Sequence, residues 1–176
     1  MLKTGLREIE VIRANVEDYQ TVPEGRILWI LGLGREDRDA FVVLRPEAYS
    51  LLDAYLEQRP MPSKQALAKA SDPEGGIYTD EKLPLFVTVG RRGGHRLSEI
   101  TIQGLVREWL KLCQVKRDVI TGHSLRHTAA TMALESGAPV TAVRDMLRHS
   151  SMKQTNIYVH TLDRMKRGAE QFITQY

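Results

Sequence analysis

Apolar residues fall along this chain as two compact runs near its front and as helical stripes elsewhere. Leu6, Ile9 and Ile12 alternate with Arg7, Glu8 and Arg13, which predicts a short helix from Gly5 to Ala14. Between Arg26 and Leu44 the runs ILWIL and AFVVL flank the polar, glycine-bearing segment GLGREDRD, the pattern of an antiparallel hairpin. Pro46 opens a helix through about Glu57, proline being suited to a first helical turn. Residues 59–84 hold Pro60, Pro62, Pro73 and the Gly75-Gly76 pair, and read as loop broken by short helix. LFVTV (residues 85–89) reads as a strand, and a turn over GRRGGH follows. Leu105, Val106, Trp109, Leu112 and Cys113 then mark the inner face of a helix.

Behind them, one helix is predicted from about Ser124 to Glu135, stopped by Gly137. Its inward side is assigned to Leu125, Ala129 and Met132. Pro139 starts another, with Val140, Val143 and Leu147 inward. Ser150 and Ser151 are N-cap candidates for a third, and Asp163 to Thr174 reads as a final amphipathic helix. The expected architecture is a mainly helical α+β domain over residues 1–176, with a small antiparallel sheet near its N-terminal part.

Composition narrows the setting. Of the 176 residues, 42% are hydrophobic and 27% charged, the balance of a water-soluble globular domain. No apolar run approaches the roughly 20 residues that span a bilayer. The start, MLKTGLREIE, lacks an export signal, and the lone Cys113 excludes an internal disulfide framework. These features point to the cytoplasm, with Cys113 packed in a helix face. Net charge is +3, compatible with nucleic acid but equally with a solvated surface. Arg35, Arg38, Arg91, Arg92 and Arg96 fall in predicted loops, where phosphates could be met.

The chemistry concentrates between Thr121 and His160. His123, Arg126 and His127 share one helical face, His149 follows, and Tyr158 lies nine positions after it. Fixed positive charge, imidazoles and a phenol beside a helix N-terminus suit attack on a phosphodiester without a metal. Each residue has a plainer reading. Arg7 at i, i+3 from Glu10 is a surface ion pair. His149 closes a helix. Tyr158 sits at a core edge with its hydroxyl satisfied. His123 and His127 have zinc-helix spacing, but Arg126 beside them repels a cation and the glutamate of the metalloprotease pattern is missing. Gly122-His123-Ser124 begins like a nucleophile elbow, yet position 126 is Arg rather than Gly. Ala133, Gly137 and Val143 match a helix-turn-helix skeleton, which leaves a DNA-binding module without enzymatic role as an alternative.

Taken together, GHSLRHTAAT, MLRHSS and TNIYVH resemble the catalytic half of the tyrosine recombinases, the phage integrase family. TGLREIEVIRANVEDYQ is similar to the front of that domain, and PLFVTVGRRGGHRLS to the stretch leading into the helix before the H-x-x-R box. The resemblance implies cleavage and rejoining of double-stranded DNA through a 3′-phosphotyrosyl bond, with Tyr158 as nucleophile. It implies Arg7 and Arg126 on the phosphate, His149 as a further donor, His123 as proton acceptor and Glu10 as the acid orienting the site. His127 stands beside them in a supporting place. No metal or nucleotide cofactor is implied. The family usually carries a lysine in the hairpin turn as acid for the leaving 5′-oxygen. Here the turn reads Gly32-Leu33-Gly34-Arg35, and Arg35, with a pKa above about 12, is a poor acid. That departure keeps open a recombinase-like DNA-binding domain with weak or no catalysis. The family's core-binding domain has no counterpart ahead of Arg7, so the sequence is expected to be an isolated catalytic domain with weak, salt-sensitive DNA affinity. The tail RMKRGAEQFI is the segment that in relatives docks on a neighbouring subunit. A tetramer on DNA, in a prokaryotic cytoplasm at the nucleoid, is the implied setting.

Overall fold

A computed structural model describes residues 1–32, 34, 36–59, 83–90, 94–115 and 120–167. Leu33 and Arg35, most of the expected 59–84 loop, Arg91 and Arg92, and the end of the expected tail helix lie outside the described residues. The chain divides into two compact units, Arg7–Gly122 and Met1–Leu6 with His123–Tyr176.

In the first of these, α1 (Glu8–Arg13) buries Ile12 and begins where the carboxylate of Glu10 accepts the amide of Arg7 at 2.7 Å. That bond satisfies a main-chain donor that a helix start otherwise leaves unpaired. Arg96 ties down the other end, donating from Nη1 to the carbonyls of Ile12 (2.7 Å) and Ala14 (3.1 Å) and from Nη2 to Asn15 Oδ1 (2.7 Å). Arg38 pairs with the buried Asp18. Two of the loop arginines read as phosphate contacts or solvated surface are therefore internal ties.

The sheet has three antiparallel strands in the order β1 (Tyr19–Val22), β2 (Gly25–Ile30) and β3 (Ala40–Leu44). β2 and β3 form the predicted hairpin, with Leu28 opposite Val42 and Trp29 opposite Phe41. Leu28, Ile30, Val42 and Leu44 are buried on one face, while the Trp29 and Phe41 rings meet edge to face at 5.4 Å on the other. β1 was not anticipated, because YQTV carries too few apolar positions to mark a strand; it is held by pairing Tyr19 opposite Leu28. The Tyr19 hydroxyl also donates to Asp53 Oδ1 at 2.7 Å on α2 (Pro46–Gln58), which has proline in its first turn as expected.

Residues 85–89 do not form the predicted strand. Pro84 bridges to Asn15 and Val87 to Arg96, each as an isolated pair. Leu85 donates to the carbonyl of Ala14, whereas the amide of Val87 is taken by the Tyr55 hydroxyl at 2.9 Å. The segment changes partner every few residues, so no ladder builds up. The next helix, α3 (Glu99–Leu112), starts at Ser98, whose hydroxyl accepts from the amide of Thr101. Its buried positions are Ile102 and Val106, and it packs on α1. Of the expected inner face Val106 is buried, but the rest is turned out, with Trp109 66% exposed and Leu105, Leu112 and Cys113 also exposed. The surface a helix meets chooses its buried face, and the number of apolar residues on a stripe does not.

The second unit contains α4 (Gly122–Glu135, its first residue excepted), α5 (Val140–Leu147) and α6 (Met152–Arg167). Ala130, Val143, Leu147 and Tyr158 form its core, flanked by Ala133, Leu134, Ala138 and Met146. α4 ends at Gly137 (φ 88°), with the amides of Gly137 and Ala138 returning to the carbonyls of Leu134 and Ala133. α5 ends in the same pattern, but the left-handed position holds Arg148 (φ 51°, ψ 45°), a conformation costing an L-residue roughly 1–2 kcal/mol. The Ser151 hydroxyl accepts from Lys153 at the start of α6. This helix is continuous where two were predicted, since neither proline nor glycine interrupts residues 152–167. The mainly helical α+β reading with a small antiparallel sheet near the front holds.

Candidate functional site

α4 carries His123, Arg126 and His127, and its rotation departs from the sequence reading. Arg126 is 2% exposed and Ala130 fully buried, whereas Met132, expected inside, is 47% exposed. A buried guanidinium is tolerated only when hydrogen-bonded. Arg126 donates from Nη1 to the carbonyl of Gly5 and from Nη2 to that of Leu147, the last residue of α5. Gly5 can bring its carbonyl there because it has φ +63° and no side chain. A Cβ at that position would stand 3.1 Å from Leu147 Cδ2. Arg148 also reaches the Gly5 carbonyl, from Nη2 at 3.4 Å.

Tyr158, on α6, is 8% exposed and packs in the core cluster. Its ring neighbours two imidazoles. His127 is 5.1 Å away between centroids, and His149 stacks at 6.4 Å with 15° between planes. His127 in turn meets His123: their Nε2 atoms are 2.7 Å apart and their rings perpendicular at 4.3 Å. The imidazole touching the phenol is thus that of His127, with His123 one ring beyond. His149 Nδ1 shares a 3.0 Å hydrogen bond with the hydroxyl of Thr155, which is fully buried one turn before Tyr158 on the same helix. Thr155, Gly5 and Arg148 were given no role from sequence. The spacing of Thr155 to Tyr158, i to i+3 on one helical face, was the one available signal.

The electrostatics follow from this packing. Burial raises the Tyr158 phenol above its ordinary value of 10.0, and the positive charge of Arg126 works against that rise. Burial lowers the His127 imidazole, and repulsion by His123 and Arg126 lowers it further. In the His123–His127 hydrogen bond one ring must offer a lone pair, so both rings cannot be cationic while it persists.

Arg7 and Glu10 belong to the other unit. There the i, i+3 ion pair is made, Arg7 Nη1 to Glu10 Oε1 at 2.9 Å, with the Glu10 side chain fully buried. Glu10 therefore grips both the amide and the guanidinium of Arg7, which orients that cation. In the same unit the amide of Gly122, the first residue of α4, donates to Glu8 Oε1 at 3.1 Å, so this helix-start donor is matched by a carboxylate. Arg35 lies outside the described residues. Among the described residues no group of three His, Cys, Asp or Glu side chains is placed to hold a metal ion, and no helix is long and apolar enough to cross a membrane. The helix-turn-helix skeleton is present as α4, Gly137 and α5, with Ala133 and Val143 packed in the core around Tyr158.

The model of the phage integrase family matches residues 1–165, and the chain belongs to that family. It is similar to tyrosine recombinase XerD of Lacticaseibacillus casei, 29% identical over 160 residues that cover 91% of this chain and 47% of the relative. With tyrosine recombinase XerD of Xanthomonas campestris pv. campestris it shares 33% identity over 133 residues, covering 75% of this chain and 37% of the relative. Among solved structures, XerA recombinase superposes with a TM-score of 0.66 at 25% identity, over 99% of this chain and 56% of that one. XerH site-specific recombinase bound to difH substrate has the same fold, with a TM-score of 0.65 at 21% identity over 98% of this chain and 43% of that one. The chain spans about half the length or less of the curated relatives it matches.

The depressed His127 pKa has a consequence for folding. An unfolded chain binds a proton at this ring near its ordinary value of 6.5, while the folded chain resists until lower pH. More protons on the unfolded state means stability falls as pH drops through that window. Wild type is therefore expected to lose more stability than His127→Gln between about pH 7 and 5, by urea unfolding. Parallel profiles for the two chains would contradict this placement of the ring.

Proposed function

We propose that residues 1–176 act as the catalytic domain of a site-specific tyrosine recombinase that cuts and rejoins double-stranded DNA. The observation carrying this reading is Tyr158 neighbouring both His127 and His149, in one core cluster with Ala130 of the helix that bears Arg126, in a chain of the phage integrase family. The solved Tn1549 transposon integrase of the same fold is in complex with circular intermediate DNA, which supports DNA as the substrate. In this reading the Tyr158 oxygen attacks the scissile phosphorus, the bond to the 5′-oxygen breaks, and a 5′-hydroxyl leaves. A second 5′-hydroxyl then attacks the phosphotyrosyl bond and expels the phenol, so the bond energy is conserved and no cofactor or metal is consumed.

The residues divide the work by their chemistry. The non-bridging oxygens gain charge in the transition state, and Arg7 and Arg126 meet that charge with forks of donors that stay protonated. Glu10 keeps Arg7 aimed. His149, its Nδ1 held by Thr155, adds a donor to the phosphate. The phenol proton passes to the imidazole pair, with His123 as the acceptor and His127 as the ring in contact with Tyr158. Losing one such donor is expected to cost roughly 3–4 kcal/mol of barrier, a hundred- to thousandfold in rate. The tail RMKRGAEQFI is assigned to docking on a neighbouring copy, giving a tetramer on DNA at the nucleoid of a prokaryotic cytoplasm.

A second reading rests on one sequence observation. The hairpin turn Gly32-Leu33-Gly34-Arg35 holds no lysine, and Leu33 has no proton to donate to the leaving 5′-oxygen. A DNA-binding domain of this fold with weak or no catalysis has the same site with slower leaving-group departure, unless Arg35 or water supplies the proton.

Incubation with nicked suicide duplexes is expected to give a covalent protein–DNA adduct on denaturing gels, abolished by Tyr158→Phe. A wild-type chain that binds DNA but yields no adduct would overturn the catalytic reading in favour of the second. Leu33→Lys is expected to raise the rate of adduct formation in the same assay. An unchanged rate would show that protonation of the leaving oxygen is not what the turn limits.

A further inference from the structure

We propose that Arg148 is a positioning residue that fixes the Gly5 carbonyl and, through it, the Arg126 guanidinium; this rests on the reading of Arg126 as a phosphate ligand. The starting point is backbone strain. Three described helices end in the same pair of returning hydrogen bonds around a left-handed residue, at Gln114, Gly137 and Arg148. Glycine takes that conformation without a clash, so at Gly137 the backbone requirement and the residue agree. At Arg148 they do not. Glycine there would make the same turn and deliver His149 to the same place, so the backbone gives no reason for an arginine.

The side chain does. Arg148 Nη1 donates to the carbonyl of Met146 at 2.7 Å, and Nη2 reaches the carbonyl of Gly5 at 3.4 Å. That carbonyl is also the acceptor for Arg126 Nη1. A carbonyl oxygen has two lone pairs, and here a guanidinium approaches from each of two elements, the helix α4 and the end of α5. The negative end of the α5 dipole, at Met146 and Leu147, steadies both cations where their mutual repulsion would drive them apart. With Gly5 held from both sides, the segment Thr4–Leu6 cannot swing, and Arg126 keeps a single orientation. The strain at Arg148 is thus offset by contacts that aim a neighbouring guanidinium.

The test compares Arg148→Gly with wild type, using Gln114→Gly as a control that relaxes the same backbone strain in the other unit. Arg148→Gly is expected to melt no lower than wild type. Its Gly5 amide, which donates to Met1 at 2.8 Å, is expected to exchange with solvent about tenfold faster. Single-turnover adduct formation at saturating DNA is expected to fall about 10- to 100-fold, with DNA affinity changed less than about twofold. Arg148→Lys, which keeps the charge but not the fork, is expected to stay near the glycine variant in rate. Gln114→Gly should cleave as wild type does. Wild-type cleavage by Arg148→Gly, or unchanged exchange at Gly5, would overturn the proposal while leaving the recombinase reading intact. A wild-type chain that forms no adduct would overturn the catalytic reading instead, and Gly5 exchange then decides whether Arg148 holds that segment.

Discussion

The guanidinium of Arg126 is buried in a helical core, and a charge in that position has to be answered by hydrogen bonds or the packing around it fails. Main-chain carbonyls of Gly5 and Leu147 answer it. The consequences spread from there. α4 must turn its Arg126–Ala130 stripe inward, which puts Met132 in solvent. Gly5 must be glycine, because its backbone is left-handed and Leu147 crowds the space a side chain would fill. α5 must present its carbonyl end, where the helix dipole favours a cation. Its Val143 and Leu147 then form, with Ala130, the surface on which Tyr158 packs.

The same charge tunes the chemistry of its neighbours. A phenol taken out of water holds its proton more tightly, and Arg126 opposes that effect at Tyr158. The imidazole of His127 beside the phenol is shifted below its ordinary value by partial desolvation, by His123 and by Arg126 again. In the proposed reading, a phenol beside an imidazole pair, with a fixed cation opposing the rise of the phenol's pKa, is the arrangement that proton transfer out of a tyrosine needs. Membership of the phage integrase family gives that arrangement its proposed substrate, a phosphodiester of DNA.

Much of this was legible in the residues, and the failures have a common cause. The β2–β3 hairpin, the proline start of α2, the glycine stop after α4 and the H-x-x-R-H helix were carried by local signals, namely turn residues, caps and short spacings. Features settled by a distant partner were not. The buried face of α3 is set by α1, so Ile102 and Val106 go inside while Trp109 stays out. β1 exists because β2 offers an edge, and residues 85–89 fail as a strand because Tyr55 takes an amide that a ladder would use. At the site, His123, Arg126, His127, His149 and Tyr158 were named from spacing. Thr155, Gly5 and Arg148 were not, since a buried hydroxyl, a crowded glycine and a strained arginine acquire meaning only from what surrounds them. That His127 rather than His123 touches the phenol likewise depends on the rotation of α4.

Urea unfolding of Arg126→Lys tests the central constraint most directly, because lysine keeps the charge and loses the fork that spans two carbonyls. A loss of about 2–3 kcal/mol relative to wild type is expected, the worth of hydrogen bonds from a charged donor. Wild-type stability in the lysine chain would contradict a fold organised around the Arg126 guanidinium.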